Sequence, residues 1–242
     1  MLEDDKKGLK PFNLNPLQTV YIAFVSLVFP QFLSVLIYLI LSSFGIISES
    51  AIESIGGYFI ISALTESMSL WIIYLFLKNK GISVIDVFGK IKSYSAVLAY
   101  VVGAFLLYMI SIGVVFLIIG KLIPSFNAEQ NQENPFKEAN GGLEIILSFI
   151  ALVIITPIVE EIIFRGFLYR ALKSTTPKIV AILASSAIFG LAHMQWNVAV
   201  DTFVLSIFLI WIYERTGSLV SSMLLHSIKN CLAFVIIFSQ MR

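Results

Sequence analysis

Residues 156–165, with the sequence TPIVEEIIFR, place two adjacent carboxylates, Glu160 and Glu161, and the guanidinium of Arg165 inside an otherwise apolar run. An ionised side chain near the middle of a transmembrane helix costs roughly 2.5 to 3.5 kcal/mol on insertion scales. Spanning a bilayer requires no such charge. A pair of glutamates in this position therefore predicts a functional site, and the surrounding chain is expected to house it.

The composition of the chain indicates what kind of protein surrounds this stretch. Of 242 residues, 58% are hydrophobic and 13% are charged, and the mean hydropathy is +0.93. These values lie outside the usual range of soluble domains and predict a polytopic membrane protein. The net charge of +1 argues against a nucleic-acid partner, which would need a basic patch.

Hydrophobic windows of about 20 residues predict about seven transmembrane spans. In lipid the backbone must satisfy its own hydrogen bonds, and segments of this length do so as helices. Barrel strands would be about 10 residues long and strictly alternating. We therefore expect an all-α, polytopic transmembrane helix bundle. The predicted spans are residues 19–43, 58–77, 94–119, 143–171, 178–195, 198–214 and 218–240.

The positions of lysine in the loops predict the orientation in the membrane. Three lysines lie in the arm at residues 1–18, and four lie in the loop at residues 78–92. Cytoplasmic loops carry such an excess of basic residues. We expect both segments, and hence the amino terminus, to be cytoplasmic. The loop at residues 45–57 has no basic residue and is expected on the external side.

A polar segment at residues 124–142 resembles a linker and divides the chain into two parts. It contains few basic residues, so it is expected on the external side. Residues 19–123 hold three predicted helices and are expected to serve as scaffold or to admit substrate. Residues 143–242 contain every dense polar constellation in the membrane. The chemistry is therefore expected in this second part.

Helical spacing separates the two glutamates. Glu161 and Arg165 are four residues apart, so they share a face and can pair, which lowers the cost of burying both. Glu160 is turned about 100° away from its neighbour and is free to act as a base or a ligand. A purely structural ion pair near the interface is the alternative. It accounts for Glu161 and Arg165 but leaves Glu160 without a role.

The two histidines of the protein, His193 and His226, fall in the same half as Glu160, on hydrophobic segments. Asn230 follows His226 by one helical turn, so imidazole and amide share a face. Singly, these residues could be an interfacial histidine and an interhelical hydrogen-bonding pair. Together they supply a base, an orienting imidazole and donors for an oxyanion. These are the parts of a water-activating hydrolytic site.

Three other acidic residues lie in or near predicted spans. Glu66 is in the middle of one, with no basic residue nearby in sequence, and is expected to pair with Lys229 or to line the cavity. Asp201 and Glu214 lie near span ends. Solvated or interfacial positions are expected for both.

Three motifs in the second half resemble those of the CPBP intramembrane proteases, the CAAX protease and bacteriocin-processing (Abi) family, which includes type II prenyl-protein endopeptidases. They occur in the family's order, on separate predicted helices, across about 70 residues, and three together are far more specific than one. The matching positions are Glu160, Glu161 and Arg165 for E-E-x-x-x-R, Phe189 and His193 for F-x-x-x-H, and His226 and Asn230 for H-x-x-x-N.

The resemblance implies an intramembrane endopeptidase whose site opens to the cytoplasmic side. By position, Glu160 would activate water with help from His193, while His226 and Asn230 would stabilise the oxyanion. The pair formed by the second glutamate and the arginine would support them. The implied partners are membrane lipid and a peptide or membrane-protein substrate, lipidated in some members of the family.

The resemblance leaves two mechanisms open, one metal-free and one with zinc. The chain has no H-E-x-x-H motif. Glu160, His193 and His226 could form a three-ligand zinc site with an open position. Asn230 is a poor zinc ligand and a good oxyanion donor, so the metal-free mechanism is favoured and no cofactor is expected.

Two other functions compete with hydrolysis. A transporter or proton relay would also bury Glu, His and Arg side chains, but it would favour inverted repeats or paired broken helices, which the sequence does not show. A non-catalytic scaffold, such as a bacteriocin-immunity protein, would be favoured by a missing motif residue. Every motif position is filled, so a peptidase is the favoured function.

Overall fold

The computed structural model describes residues 15–91, 93–128 and 134–239. Most of the predicted amino-terminal arm and the centre of the predicted linker lie outside these ranges. The described residues form helices joined by turns and contain no strand, and their one extended pairing is an isolated antiparallel bridge between Gly89 and Ser218. The predicted all-α fold class is confirmed.

Eleven α-helices follow one another along the described residues, with one 3-10 turn at Pro135–Glu138. In chain order the helices are α1 (Pro16–Ser43), α2 (Glu49–Ile52), α3 (Ile55–Asn79), α4 (Val84–Phe88), α5 (Tyr94–Leu122), α6 (Gly142–Phe149), α7 (Thr156–Glu161), α8 (Arg170–Lys173), α9 (Lys178–Leu191), α10 (Trp196–Thr216) and α11 (Leu219–Ser239).

Six apolar helical stretches among the described residues are long enough to cross a membrane: α1, α3, α5, the continuous run Gly142–Lys173, α10 and α11. The chain is therefore an integral, multi-pass membrane protein. The fifth predicted span, residues 178–195, corresponds to α9, which is apolar but has only 14 residues and ends at Leu191. The prediction of about seven spans agrees with this count apart from that shorter helix.

Polar residues cap the long helices, and two of the helices begin before their predicted hydrophobic windows. The Asn15 side chain accepts hydrogen bonds from the amides of Leu17 and Gln18 at the start of α1. Ser54 and Ser93 cap α3 and α5 in the same way. Such caps satisfy backbone N–H groups that have no partner within the helix. Hydropathy alone therefore places the starts of α1 and α3 about a turn too late.

The run Gly142–Lys173 is not a regular α-helix. π-helical segments at Ile150–Ile155 and Ile162–Tyr169 flank α7, the single short α-helix that carries Glu160 and Glu161. Pro157 lies in the first turn of α7 and has no N–H to donate, which interrupts the hydrogen-bond ladder at the first junction. π segments inside helices are frequent at functional sites. Residues 156–165 therefore differ from the other transmembrane helices in their backbone hydrogen bonding as well as in their charges.

The helices before residue 123 pack on two sides of the later ones. α1 and α3 pack together, and side chains such as Ile73 and Leu77 join the core around Ile163. α5 packs against α10 and α11 through a separate core that includes Val101 and Leu205. The run Gly142–Lys173 therefore lies between α3 and α11. The scaffold or access role of residues 19–123 remains a prediction.

α9 and α10 approach each other most closely at Gly190. A β-carbon added there would lie 2.6 Å from the backbone oxygen of Ala199, so only a glycine fits without displacing the neighbouring helix. Because Phe189 and His193 flank this position, the approach also fixes where the end of α9 meets the rest of the bundle.

Replacing Gly190 with alanine is expected to force the two helices apart and to destabilise the protein by about 1 to 3 kcal/mol, as overpacking usually does. Thermal unfolding of the purified protein in detergent measures the change. Gly103→Ala in α5 is the matched control, because a β-carbon there meets nothing within 4 Å. Equal unfolding temperatures for the two variants would contradict the assigned contact.

Candidate active site

Three helices bring the motif residues together in the membrane. α7 carries the two glutamates, α11 carries His226 and Asn230, and His193 follows the end of α9. Both α7 and the π segment before it pack against α11. Residues far apart in the chain thereby form one polar cluster surrounded by apolar side chains.

Glu161 is the centre of this cluster. Its Oε1 atom accepts a hydrogen bond from Nη1 of Arg165 at 2.8 Å, and Nδ1 of His226 lies 3.0 Å from the same oxygen. The side chains of Glu161 and Arg165 are fully inaccessible. The predicted i, i+4 pair is thus present. Glu161 has no exposed side-chain surface, and it bonds to both Arg165 and His226.

Phe189 completes the support of Arg165. The guanidinium carbon lies 4.3 Å from the centroid of the Phe189 ring, a cation–π geometry that suits the planar arginine side chain. The edge of the same ring contacts His193 and His226, with centroids 5.1 Å and 5.9 Å apart. The sequence marked Phe189 only through the family motif. Its function as a common platform for a cation and two imidazoles depends on long-range packing.

His226 stands between the two glutamates. Because a carboxylate can only accept a hydrogen bond, Nδ1 carries the proton that it donates to Glu161. The other ring nitrogen, Nε2, then lies 3.6 Å from Oε2 of Glu160. The His226 side chain is 3% exposed, and that of Glu160 is 23% exposed. Of the two glutamates, Glu160 is therefore the one that water can reach.

The charges around Glu160 are mixed. The positive charges of Arg165 and Lys229 attract the Glu160 carboxylate, and the negative charge of Glu161 repels it. Lys229 itself pairs with Asp201 at 3.0 Å, so the expected pairing of Glu66 with Lys229 is wrong. Asp201 is held by this pair and by a hydrogen bond from Tyr108 of α5, and its side chain is 20% exposed.

Asn230 supplies a hydrogen bond that the backbone lacks at the first π segment. Its side-chain Nδ2 donates to the carbonyl of Leu152 at 2.9 Å. In π-helical geometry that carbonyl would accept from the N–H five residues later, but this residue is Pro157 and has none. An amide group has two N–H donors, so a second one remains for a ligand. This contact was not predicted from the sequence. The signal for it was Pro157, whose missing N–H leaves a carbonyl of the preceding turn in need of another donor.

His193 lies beyond the last turn of α9 and is half-buried. Its Nδ1 is 2.9 Å from the backbone carbonyl of Phe189, which fixes the proton on that nitrogen and leaves a lone pair on Nε2. Among the described residues, no hydrogen bond joins His193 to Glu160 or to His226. Phe189 is the side chain that links the two imidazoles.

The donor set suggested for zinc does not fit this arrangement. Within the ranges described, no three His, Cys, Asp or Glu side chains are grouped so that they could hold a metal ion.

Comparison with known proteins finds a family that residues 142–232 resemble. That segment matches the family model described as type II CAAX prenyl endopeptidase Rce1-like, and it contains all three motifs. UPF0177 protein YxdF of Lactococcus lactis subsp. lactis (strain IL1403) is 34% identical over 92 residues, which are 37% of this chain and 50% of that protein.

The chain thus matches about half the length of this curated relative. No solved structure matches the chain. The residues around the Glu161 cluster all fall inside the matched segment. The family that residues 142–232 match, type II CAAX prenyl endopeptidase Rce1-like, is the one that the three motifs predicted.

Proposed function

We propose that the protein is an intramembrane endopeptidase that hydrolyses peptide bonds of membrane-associated peptides or proteins. One observation carries this proposal: the adjacent glutamates have different environments. Glu161 is inaccessible and bound to Arg165 and His226, whereas Glu160 is partly exposed and faces Nε2 of His226. A fixed carboxylate beside a reachable one supplies both orientation and a base, which a structural ion pair does not need.

In the proposed reaction, the Glu160 carboxylate accepts a proton from a water molecule as the water oxygen attacks the scissile carbonyl carbon. His193 assists through its unprotonated Nε2, which can accept a hydrogen bond from that water. The carbon–nitrogen bond then breaks, and Glu160 gives the proton to the departing amine. The products are a new carboxylate and a new amine, and no other reactant is consumed.

The negative charge that develops on the carbonyl oxygen requires donors. Asn230 offers the N–H that is not bound to Leu152, and His226 can donate from Nε2 when that nitrogen is protonated. Glu161 fixes the orientation of the ring because its Oε1 accepts a hydrogen bond from Nδ1. The Glu161–Arg165 pair therefore orients the donor and does not react itself.

The proposed substrate is a membrane peptide or protein segment, because it must reach a carboxylate surrounded by transmembrane helices. The matching family is named for prenylated substrates, and a lipidated substrate is included in the proposal for this chain. The basic loops favour a site open to the cytoplasmic side.

Membrane peptides in cells test the assignment. Cells that express the intact protein should contain cleavage products that are absent when the same amount of Glu160→Ala protein is present. Quantitative mass spectrometry of membrane fractions, with matched expression and membrane insertion, identifies the cleaved bonds. Identical peptide profiles for the two proteins would contradict the proposal.

Asn230→Ala is expected to lower kcat by about 10² to 10³ with little change in KM, as for other oxyanion donors. Loss of the hydrogen bond to Leu152 should also cost about 1 kcal/mol of stability. Cys231→Ala, one residue further along the same helix, is the control and should retain kcat. A kcat unaffected by Asn230→Ala would remove the residue from the oxyanion site.

Metal content measured beside activity separates the two mechanisms. The proposal predicts that the pure, active protein holds no stoichiometric zinc and that His193→Ala leaves the metal content unchanged. Zinc that tracks activity and disappears with His193→Ala would overturn the metal-free mechanism and leave the peptidase assignment intact.

A further inference from the structure

Glu66 is an acidic residue of the membrane interior that the proposed reaction does not use. It lies near the middle of α3, in the half of the chain that carries none of the three motifs. Its Oε1 accepts a hydrogen bond from the hydroxyl of Thr156 at 2.6 Å. Thr156 is the first residue of α7, one helical turn before Glu160 and on the same face. α3 therefore contacts the turn that presents the reactive carboxylate.

The second oxygen of Glu66 has no such partner. Oε2 is buried, and none of the described residues donates a hydrogen bond to it. No ion pair among the described residues includes Glu66, since Lys229 is bound to Asp201. The carboxylate of Glu160 acts on Glu66 as a like charge and repels it. A carboxylate with one hydrogen bond, a like charge and no cation is strongly unfavourable in a membrane interior, and the neutral acid avoids that cost.

A structural hydrogen bond between helices would not need an acid. The neighbouring residue Thr65 shows this, because its hydroxyl lies 2.8 Å from that of Ser34 and joins α3 to α1 with two uncharged groups. Glu66 occupies the next position on α3 and reaches the motif-bearing helix instead. Its ionisable group therefore calls for an explanation beyond helix packing.

We propose that Glu66 is an uncharged carboxylic acid that belongs to the active site from α3 and, through Thr156, positions the turn of α7 that carries Glu160. The inference rests on the proposed peptidase function for its kinetic consequence only. On this proposal, the amino-terminal half of the chain contributes a residue, Glu66, to the active site. A base misplaced by about 1 Å can lose on the order of 10² in rate, so positioning of this kind is functionally significant.

The protonation of Glu66 can be measured without any substrate. Infrared spectra of the full-length protein in lipid vesicles at neutral pH should contain the carbonyl stretching band of a buried, protonated carboxyl group. Glu66→Gln should remove that band, and Glu160→Gln, recorded in parallel, should leave it in place. A spectrum in which Glu66→Gln removes no such band would overturn the assignment of a neutral acid.

Kinetics test the positioning role. Thr156→Val keeps the shape of the side chain and deletes the hydroxyl donor, so it should lower kcat by roughly 10- to 100-fold with little change in KM. Glu66→Gln preserves an uncharged acceptor for Thr156 and should lower kcat by no more than about threefold. Ser67→Ala is the control, because this serine is exposed and its hydroxyl bonds only within α3.

The outcomes distinguish this inference from the proposed function. Loss of turnover in Glu66→Gln as large as in Glu160→Gln would show a charged role and overturn the inference, and so would full turnover in Thr156→Val. If the wild-type protein cleaves no peptide while the infrared band is present and lost in Glu66→Gln, the peptidase assignment fails and the neutral acid stands.

Discussion

Glu160→Gln is expected to lower turnover by roughly 10² to 10⁴, the usual contribution of a positioned general base. The amide keeps the shape of the side chain but cannot accept a proton from water. Glu160 is partly exposed, and among the described residues its one ion pair is the 3.6 Å approach to His226, so little stability should depend on its charge. The measurement is kcat of the purified protein in lipid, with the unfolding temperature determined on the same sample.

Glu161→Gln is the matched control for this loss. The neighbouring glutamate accepts from both Arg165 and His226, so its replacement should lower the unfolding temperature as well as turnover. Turnover near the wild-type value in Glu160→Gln would contradict the assignment of the base. A fall in unfolding temperature of equal size in both variants would contradict the different roles given to the two glutamates.

Arg165→Ala is expected to destabilise the protein by about 3 to 5 kcal/mol, because removing one partner of a buried pair leaves the other charge uncompensated. Glu161 would lose its cation in a position with no solvent access, and Phe189 would lose the guanidinium stacked on its ring. Equilibrium or thermal unfolding in detergent measures the change. Activity should fall with it, since Glu161 also holds His226.

Lys173→Ala provides the comparison for Arg165. Lys173 pairs with Glu214 at 2.7 Å, but its side chain is 41% exposed. Exposed pairs contribute about 1 kcal/mol or less, so this variant should unfold close to wild type. Arg165→Lys should lie between the two, because an ammonium keeps the charge but not the planar stacking. An Arg165→Ala protein that unfolds like wild type would show that the pair is not structural.

The features that could be predicted are those that local spacing determines. The helical class follows from apolar runs long enough to span a bilayer, and the pairing of Glu161 with Arg165 follows from four-residue spacing. The motifs on three helices identified the residues of the site. In each case the signal lies in a few neighbouring positions.

The features that could not be predicted depend on contacts between distant segments. His226 could bond to either glutamate, and only the packing of α11 on α7 assigns its Nδ1 to Glu161. Hydropathy does not register the π segments, because they shift hydrogen bonds without changing composition. Glu66 reaches Thr156, a residue 90 positions later, and its sequence neighbours gave no indication of that partner.

The most direct test of the central claim uses vesicles that contain only the purified protein and a membrane peptide identified as a substrate in cells. Mass spectrometry should detect, for wild type, one new carboxyl terminus and one new amino terminus in equal amounts from a single peptide bond. Glu160→Gln protein, inserted and folded to the same extent, should produce neither. Equal cleavage by the two proteins, or no cleavage by wild-type protein of the peptide that it causes to be cut in cells, would contradict a glutamate-dependent peptidase within this chain.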